Sequence, residues 1–292
     1  SLVDDQWALV RAGVRPVSTF LRLLDALDGE EDRVVLSAVY ERLRWIHSYV
    51  LSEAERAGFA ALVTRLFRPQ LERLGYDARP NEGEDDRQLR PIVIGALGVL
   101  AGDEQTVTEA RRRIDGHLDG RPLDTDVILA FAGVAAAHGD VDLQRRYLAH
   151  RKHVSLTDVQ EEQRFMFALA PFRDAKAVEV NVAALLDGTI RDQDVSLLLR
   201  ELVRVPAGRP AYARAIRDRW DRFAPLEASI RNDVLASLAK CIDPALATDN
   251  EKFLRARTEP DMRENAGRAL ESLRLDAASA ARIRDELRAA LR

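Results

Sequence analysis

The sequence has a single cysteine, two methionines and few aromatic residues, only 6% of its 292 positions. One thiol excludes an internal disulfide, and Cys241 lies between Ala239 and Ile242 in an apolar setting, so an inert buried thiol is expected. With 15 glycines and 11 prolines, neither a disordered nor a collagen-like chain is expected. There is no run of about eighteen apolar residues, so no membrane-spanning helix is expected and no membrane partner is assigned. Neither charge sign dominates: 44 Lys and Arg stand against 48 Asp and Glu, interleaved, for a net charge of −4. The basic excess with which a nucleic-acid binder displaces phosphate counterions is missing, so no nucleic-acid partner is assigned either. The opening residues Ser1 to Asp5 do not form a signal peptide and read as a boundary set inside a longer protein.

The signatures of chemistry are missing as well. The five histidines, His47, His117, His138, His150 and His153, form no HExxH, the pattern that puts two zinc ligands on one helix face. No G-x-S-x-G marks a nucleophilic serine, and no glycine pattern marks a phosphate cradle. His150 and His153 could share a helix face. Arg145, Arg146, Arg151 and Lys152 crowd the same stretch and oppose a cation, and no carboxylate is adjacent in sequence. Hence no catalytic residue, metal ligand or cofactor is expected within this chain.

What is present is helical periodicity. Phe20, Leu23, Leu24 and Leu27 recur at helical spacing, as do Phe59, Leu62, Val63, Leu66 and Phe67. Ile190, Leu197 and Leu202 follow less regularly, and Ile283, Leu287 and Leu291 close the series. Capping boxes are read at Ser52 with Glu55, Thr157 with Gln160 and Thr248 with Glu251. Gly29, Gly75, Gly102, Gly139 and Gly188 suit helix ends, and Pro16, Pro210, Pro225 and Pro260 suit helix starts. Gly95-Ala96-Leu97-Gly98 reads as a close-packing stretch of an apolar helix, and residues 76–87, with their acidic centre, as a solvated loop. Trp7, Trp45 and Trp220 each sit at helical spacing with apolar neighbours and are read as core. The expected fold is all-α, with about sixteen helices in antiparallel pairs forming an irregular HEAT-like superhelix with a concave face. It spans residues 1–292 as one domain.

Two segments carry a resemblance. The first is Asp4-Asp5-Gln6-Trp7-Ala8-Leu9-Val10-Arg11-Ala12-Gly13, with the leucine-rich stretch 20–27 and then Glu30-Glu31-Asp32. The second is Asp86-Arg87-Gln88-Leu89-Arg90 ahead of an apolar helix, with Gly102-Asp103 and Ala110 after it. Further echoes occur at Gln163-Arg164-Phe165 through Ala168-Leu169, and at Trp220-Asp221-Arg222-Phe223. In this order they resemble the C-terminal domain of the aminopeptidase N, puromycin-sensitive and endoplasmic-reticulum aminopeptidase family.

The resemblance implies a helical bowl that covers the active site of a preceding zinc-dependent catalytic domain and helps select and hold peptides. The zinc and the catalytic groups would belong to that upstream domain, which would be this chain's partner along with peptide substrates. Arginine can hold a peptide carboxylate through paired, charge-assisted bonds, and Arg90, Arg164 and Arg173 are the candidates for a peptide-facing wall. A cytoplasmic location is expected, and the Arg- and Ala-rich composition points to a GC-rich bacterial genome. Two other readings stay open: a stand-alone HEAT-like interaction scaffold, and a helical-repeat nucleic-acid binder, against which the acidic balance speaks.

Overall fold

The computed structural model describes residues 1–290, with Glu53 as backbone alone. Among the described residues there are sixteen α-helices and no strand. The chain divides into two compact units, residues Ser1–Ala137 with the segment from Ser279 onward, and residues His138–Ala278.

The first unit holds α1 (Leu2–Arg11), α2 (Val17–Asp25), α3 (Arg33–Tyr49), α4 (Arg56–Leu74), α5 (Glu84–Gly95), α6 (Glu104–Leu118) and α7 (Thr125–Ala137). The second holds α8 (Val141–Val154), α9 (Val159–Phe167), α10 (Ala175–Leu186), α11 (Asp192–Leu202), α12 (Arg209–Asp218), α13 (Trp220–Phe223), α14 (Ala228–Leu238) and α15 (Pro244–Arg255). The last helix, α16 (Arg263–Ala290), starts in the second unit and ends in the first. Helices pack on their neighbours in sequence and also in rows that skip intervening helices. In the first unit α1 meets α3, α3 meets α5 and α5 meets α7. In the second, α8, α10, α12 and α15 form one row and α9, α11 and α14 another.

The apolar faces read from the sequence are buried where they matter most. Phe59, Leu62, Val63, Leu66 and Phe67 are all core, as are Phe20 and Leu24, while Leu23 and Leu27 are half-exposed. Ile283 and Leu287 are buried, and Leu291 lies outside the described residues. Trp7 is buried against Phe20 (5.0 Å) and Trp45 (5.4 Å), whereas Trp220 is half-exposed.

Helix starts differ from the sequence expectation in which residue does the capping. Aspartates accept from free backbone N–H groups at the starts of α3, α6, α8, α9 and α10: Asp32 from Val34 (2.8 Å), Asp103 from Thr106 (2.9 Å), Asp140 from Leu143 (3.0 Å), Asp158 from Glu161 (2.9 Å) and Asp174 from Ala177 (2.9 Å). Thr157, expected to cap, instead donates to the Val154 carbonyl, because the carboxylate one residue on takes the position. Thr248 sits inside α15, where its hydroxyl donates to the carbonyl of Pro244, the first residue of that helix. At Ser52 only the return bond forms as expected, its N–H donating to Glu55 Oε2 (3.0 Å), and a single 3-10 turn precedes α4.

Two prolines lie inside helices, Pro69 in α4 and Pro91 in α5. Directly after α5 the backbone widens into a π-helical segment, Ala96–Ala101, which Gly102 closes in a left-handed conformation (φ 67°, ψ 32°) that costs glycine little. Gly98 in this segment approaches α7 so closely that a Cβ there would stand 2.4 Å from both methyls of Val134. The close-packing stretch read from the sequence is therefore a contact that only glycine permits.

The expected acidic loop is shorter than residues 76–87. Glu84, Asp85 and Asp86 form the first turn of α5, where they complement the positive end of the helix dipole. Glu82 is drawn in: its side chain is 5% exposed and pairs with Arg90. The reason is local, since a buried guanidinium needs a carboxylate beside it.

Candidate functional site

The fullest assembly of charged groups lies in the second unit, where α8, α9 and α11 meet. The cap at Asp158 starts α9 so that Glu161 and Glu162 fall in its first turn, facing α8 and α11. Glu161 Oε1 stands 3.2 Å from His150 Nε2 on α8, and Glu161 Oε2 accepts from Arg164 (3.3 Å) one turn along. The His150 ring also rests on Phe165, 4.5 Å between centroids. Glu162 accepts from Arg151 of α8 at 2.9 Å, both side chains being 6% exposed. Its other oxygen is 3.1 Å from Arg191, which in turn donates to Asp194 of α11 (2.8 Å). Hydrogen bonding to Asp194, then Coulombic attraction to the carboxylates, raises the guanidinium pKa of Arg191.

From α8 a neutral network reaches two more helices, α10 and α12. Gln144 of α8 donates to Asn181 of α10 (2.9 Å), which donates to the Leu169 carbonyl (2.8 Å) and to the Tyr212 hydroxyl of α12 (3.3 Å). All three side chains are buried, and burial pushes the Tyr212 phenol above its ordinary range. Both oxygens of Glu161 and of Glu162 face a guanidinium or an imidazole. Chemically the arrangement braces helices and presents Arg164 at its edge, with a fork suited to a planar carboxylate.

The arginines singled out from the sequence fall in different settings. Arg164 belongs to the cluster and is half-buried. Arg173 is half-buried immediately before the α10 cap, Asp174. Arg90 lies in the first unit, 1% exposed, and donates to the carbonyls of Gly75 (3.2 Å) and Leu74 (3.3 Å) at the end of α4 while pairing with Glu82. The sequence reading of His150 as lacking a carboxylate is corrected by the fold: Glu161, eleven residues on, arrives from the next helix. A signal was present in the Glu161-Glu162 pair three residues past a capping aspartate. Cys241 is buried, with its thiol pushed up to about 12 by desolvation, so it is no nucleophile. In the first unit an open groove of about 400 Å³ is lined by Tyr76, Glu104, Gln105, Thr108 and Glu109. Glu109 there is held at about 2, chiefly by its hydrogen bond from Arg112.

Residues 1–275 match the family described as the ERAP1-like C-terminal domain. Among curated relatives, the aminopeptidase M1-D of Oryza sativa subsp. japonica is 28% identical over 296 residues, covering 98% of this chain and 33% of the relative. The aminopeptidase M1 of Arabidopsis thaliana is 26% identical, covering 94% of this chain and 32% of the relative. A bacterial relative, the aminopeptidase N of Lactococcus lactis subsp. lactis, is 26% identical over 70% of this chain and 24% of its own length. The chain thus spans about a third of the first-named relatives' length.

Proposed function

The chain belongs to the ERAP1-like C-terminal domain family, and from that premise we propose that it is the non-catalytic C-terminal domain of a larger zinc-dependent aminopeptidase. In this reading it covers the active site of a preceding catalytic domain and helps select and hold peptide substrates. The observation that carries the proposal is the match of nearly the whole chain to an ERAP1-like C-terminal domain and to about a third of the length of proteins named aminopeptidases. The absence of an HExxH from the sequence supports placing zinc and catalysis upstream. The rows α1–α3–α5–α7 in the first unit and α8–α10–α12–α15 and α9–α11–α14 in the second support the HEAT-like reading with its concave face. Among the described residues no helix is long and apolar enough to cross a membrane. A lone buried thiol fits the proposed cytoplasmic setting, and the Arg- and Ala-rich composition supports a bacterial source.

Arg164 and Arg173 remain the proposed peptide-facing arginines. Arg90 contributes by tying the end of α4 to the following loop, since its donors already meet backbone carbonyls and Glu82. Arg164→Ala and Arg173→Ala in the full-length enzyme are expected to raise KM for long peptides by roughly tenfold, the loss of one charge-assisted pair. KM for a single-residue coumarin substrate should stay put. Unchanged long-peptide kinetics in both variants would remove these residues from the wall.

The decisive experiment compares hydrolysis of an aminoacyl-coumarin series by this chain and by the full-length product of its gene, each with added zinc. Activity is expected in the full-length protein alone and should vanish with a chelator. Two inactive proteins would favour the scaffold reading, and activity in the isolated chain would place a catalytic site within it.

A further inference from the structure

We infer that Trp220, Phe253 and Arg257 in the second unit form a binding site for a carboxylate joined to an apolar group. Trp220 of α13 and Phe253 of α15 meet edge to face, 5.4 Å apart with planes at 76°. Both rings are half-exposed, so this aromatic pair is a surface feature and not part of the core.

The guanidinium carbon of Arg257, just beyond α15, lies 4.5 Å from the Phe253 centroid and 5.6 Å from that of Trp220. Four arginines nearby in the chain pair with carboxylates, while Arg263 donates to the Thr258 carbonyl. Arg217 has Asp249 (3.7 Å), Arg219 has Asp221 (3.4 Å), Arg222 has Asp192 (2.6 Å), and Arg255 has Glu251 (2.7 Å). Arg257 has no carboxylate partner among the described residues, and its Nε is buried without a hydrogen-bond acceptor. The Trp220 indole N–H likewise has no acceptor among the described residues.

A cation over an aromatic face gains from the ring quadrupole through the flat side of the guanidinium. Its N–H donors lie in the plane of the group, in the spacing of a carboxylate. The rings beside it offer apolar surface to whatever carries that carboxylate. Arginine and tryptophan are also among the residues that carry most binding energy where an interface desolvates them. A carboxylate with an adjacent aromatic or aliphatic group uses both parts. Inorganic phosphate uses only the donors. The inference rests on this geometry alone and does not depend on the aminopeptidase reading.

The test follows the indole signals of Trp7, Trp45 and Trp220 in 1H–15N spectra of the 292-residue chain, with Trp220 assigned by its loss in Trp220→Phe. Three probes are titrated to roughly 10 mM, the range where weak peptide contacts saturate. They are acetyl-Gly-Phe with a free carboxylate, acetyl-Phe-Glu amide with a side-chain carboxylate, and acetyl-Gly-Phe amide with none. A saturating shift of the Trp220 signal is expected from at least one carboxylate peptide and not from the amide. The tighter of the two acids tells a chain terminus from an acidic side chain. Arg257→Gln should weaken the shift at least about tenfold, with Arg257→Lys between it and the parent. Unmoved Trp7 and Trp45 signals would report that the variants are folded. No shift with either acid, an equal shift with the amide or with inorganic phosphate, or full binding by Arg257→Gln would overturn the inference. The comparison of peptides on the unaltered chain decides it even if a variant fails to fold.

Discussion

Gly98→Ala is expected to lower stability by about 2 kcal/mol, seen as a drop in the urea midpoint. The sign runs against helix propensity, which favours alanine over glycine in a helix interior by about 1 kcal/mol. The steric effect wins because a Cβ at Gly98 would stand 2.4 Å from Cγ1 and Cγ2 of Val134 and 3.0 Å from its Cβ. Rotating the valine cannot help, since both methyls are already in the way, and its branched side chain is stiff on a helix. Val134 is fully buried, so there is no free volume into which it can move. Removing the methyls should relieve the conflict. Gly98→Ala with Val134→Ala is expected to lose at least about 1 kcal/mol less than the two single losses added together. An unchanged midpoint for Gly98→Ala, or strict additivity, would show that α7 does not approach the π-helical segment this closely.

The second large effect belongs to the Arg151–Glu162 pair. Both side chains are 6% exposed, so each charge has left water and depends on the other. Glu162→Gln is expected to cost about 3–5 kcal/mol, because Arg151 is left buried without its counter-charge. The same holds for Arg151→Met, which strands the carboxylate with only Arg191, itself half in solvent, to answer it. Replacing both, as Arg151→Met with Glu162→Leu, should recover most of the loss, since buried pairs are often matched by apolar residues of similar size. Urea titrations of the two singles and the double measure this directly. Single variants within about 0.5 kcal/mol of the parent would mean the pair is effectively solvated, as surface pairs are.

Helix number and class were legible because period-3.6 burial is written in many residues at once. The buried stripe of α4 and the core placement of Trp7 follow from spacing alone. The capping chemistry was less legible. A Ser or Thr followed by Glu or Gln looks like a cap, but aspartates such as Asp158 compete for the same N–H groups and win. Pro69 and Pro91 inside helices were equally hidden, because tertiary contacts outweigh the local cost of a lost backbone bond. Of the charged cluster, spacing hints only at the Glu161-Glu162 pair behind the Asp158 cap, and not at its partners. Glu161 meets His150 only because the turn between α8 and α9 reverses the chain, and nothing in either helix announces the other. The same is true of Arg90: its neighbours in sequence suggest an exposed, available arginine, and only the packing of α4 against α5 shows where its guanidinium goes.

The course of the last helix bears on how the protein is made. Arg282 donates to the carbonyls of Val10 and Arg11, Arg284 to those of Tyr49 and Val50, and Glu286 accepts from the N–H of Val17. These bonds finish helix ends that are synthesised well before them, across separations of up to 272 residues. A ribosome adding about 5–20 residues per second delivers those partners many seconds after the groups that need them. Over that interval the opening helices leave the exit tunnel with carbonyls and an amide still facing water, and the second unit has all of its own residues first. Synthesis order and assembly order therefore differ for the first unit, and a chain interrupted just after Ala278 has every residue of the second unit while the first still lacks the segment that finishes its helix ends.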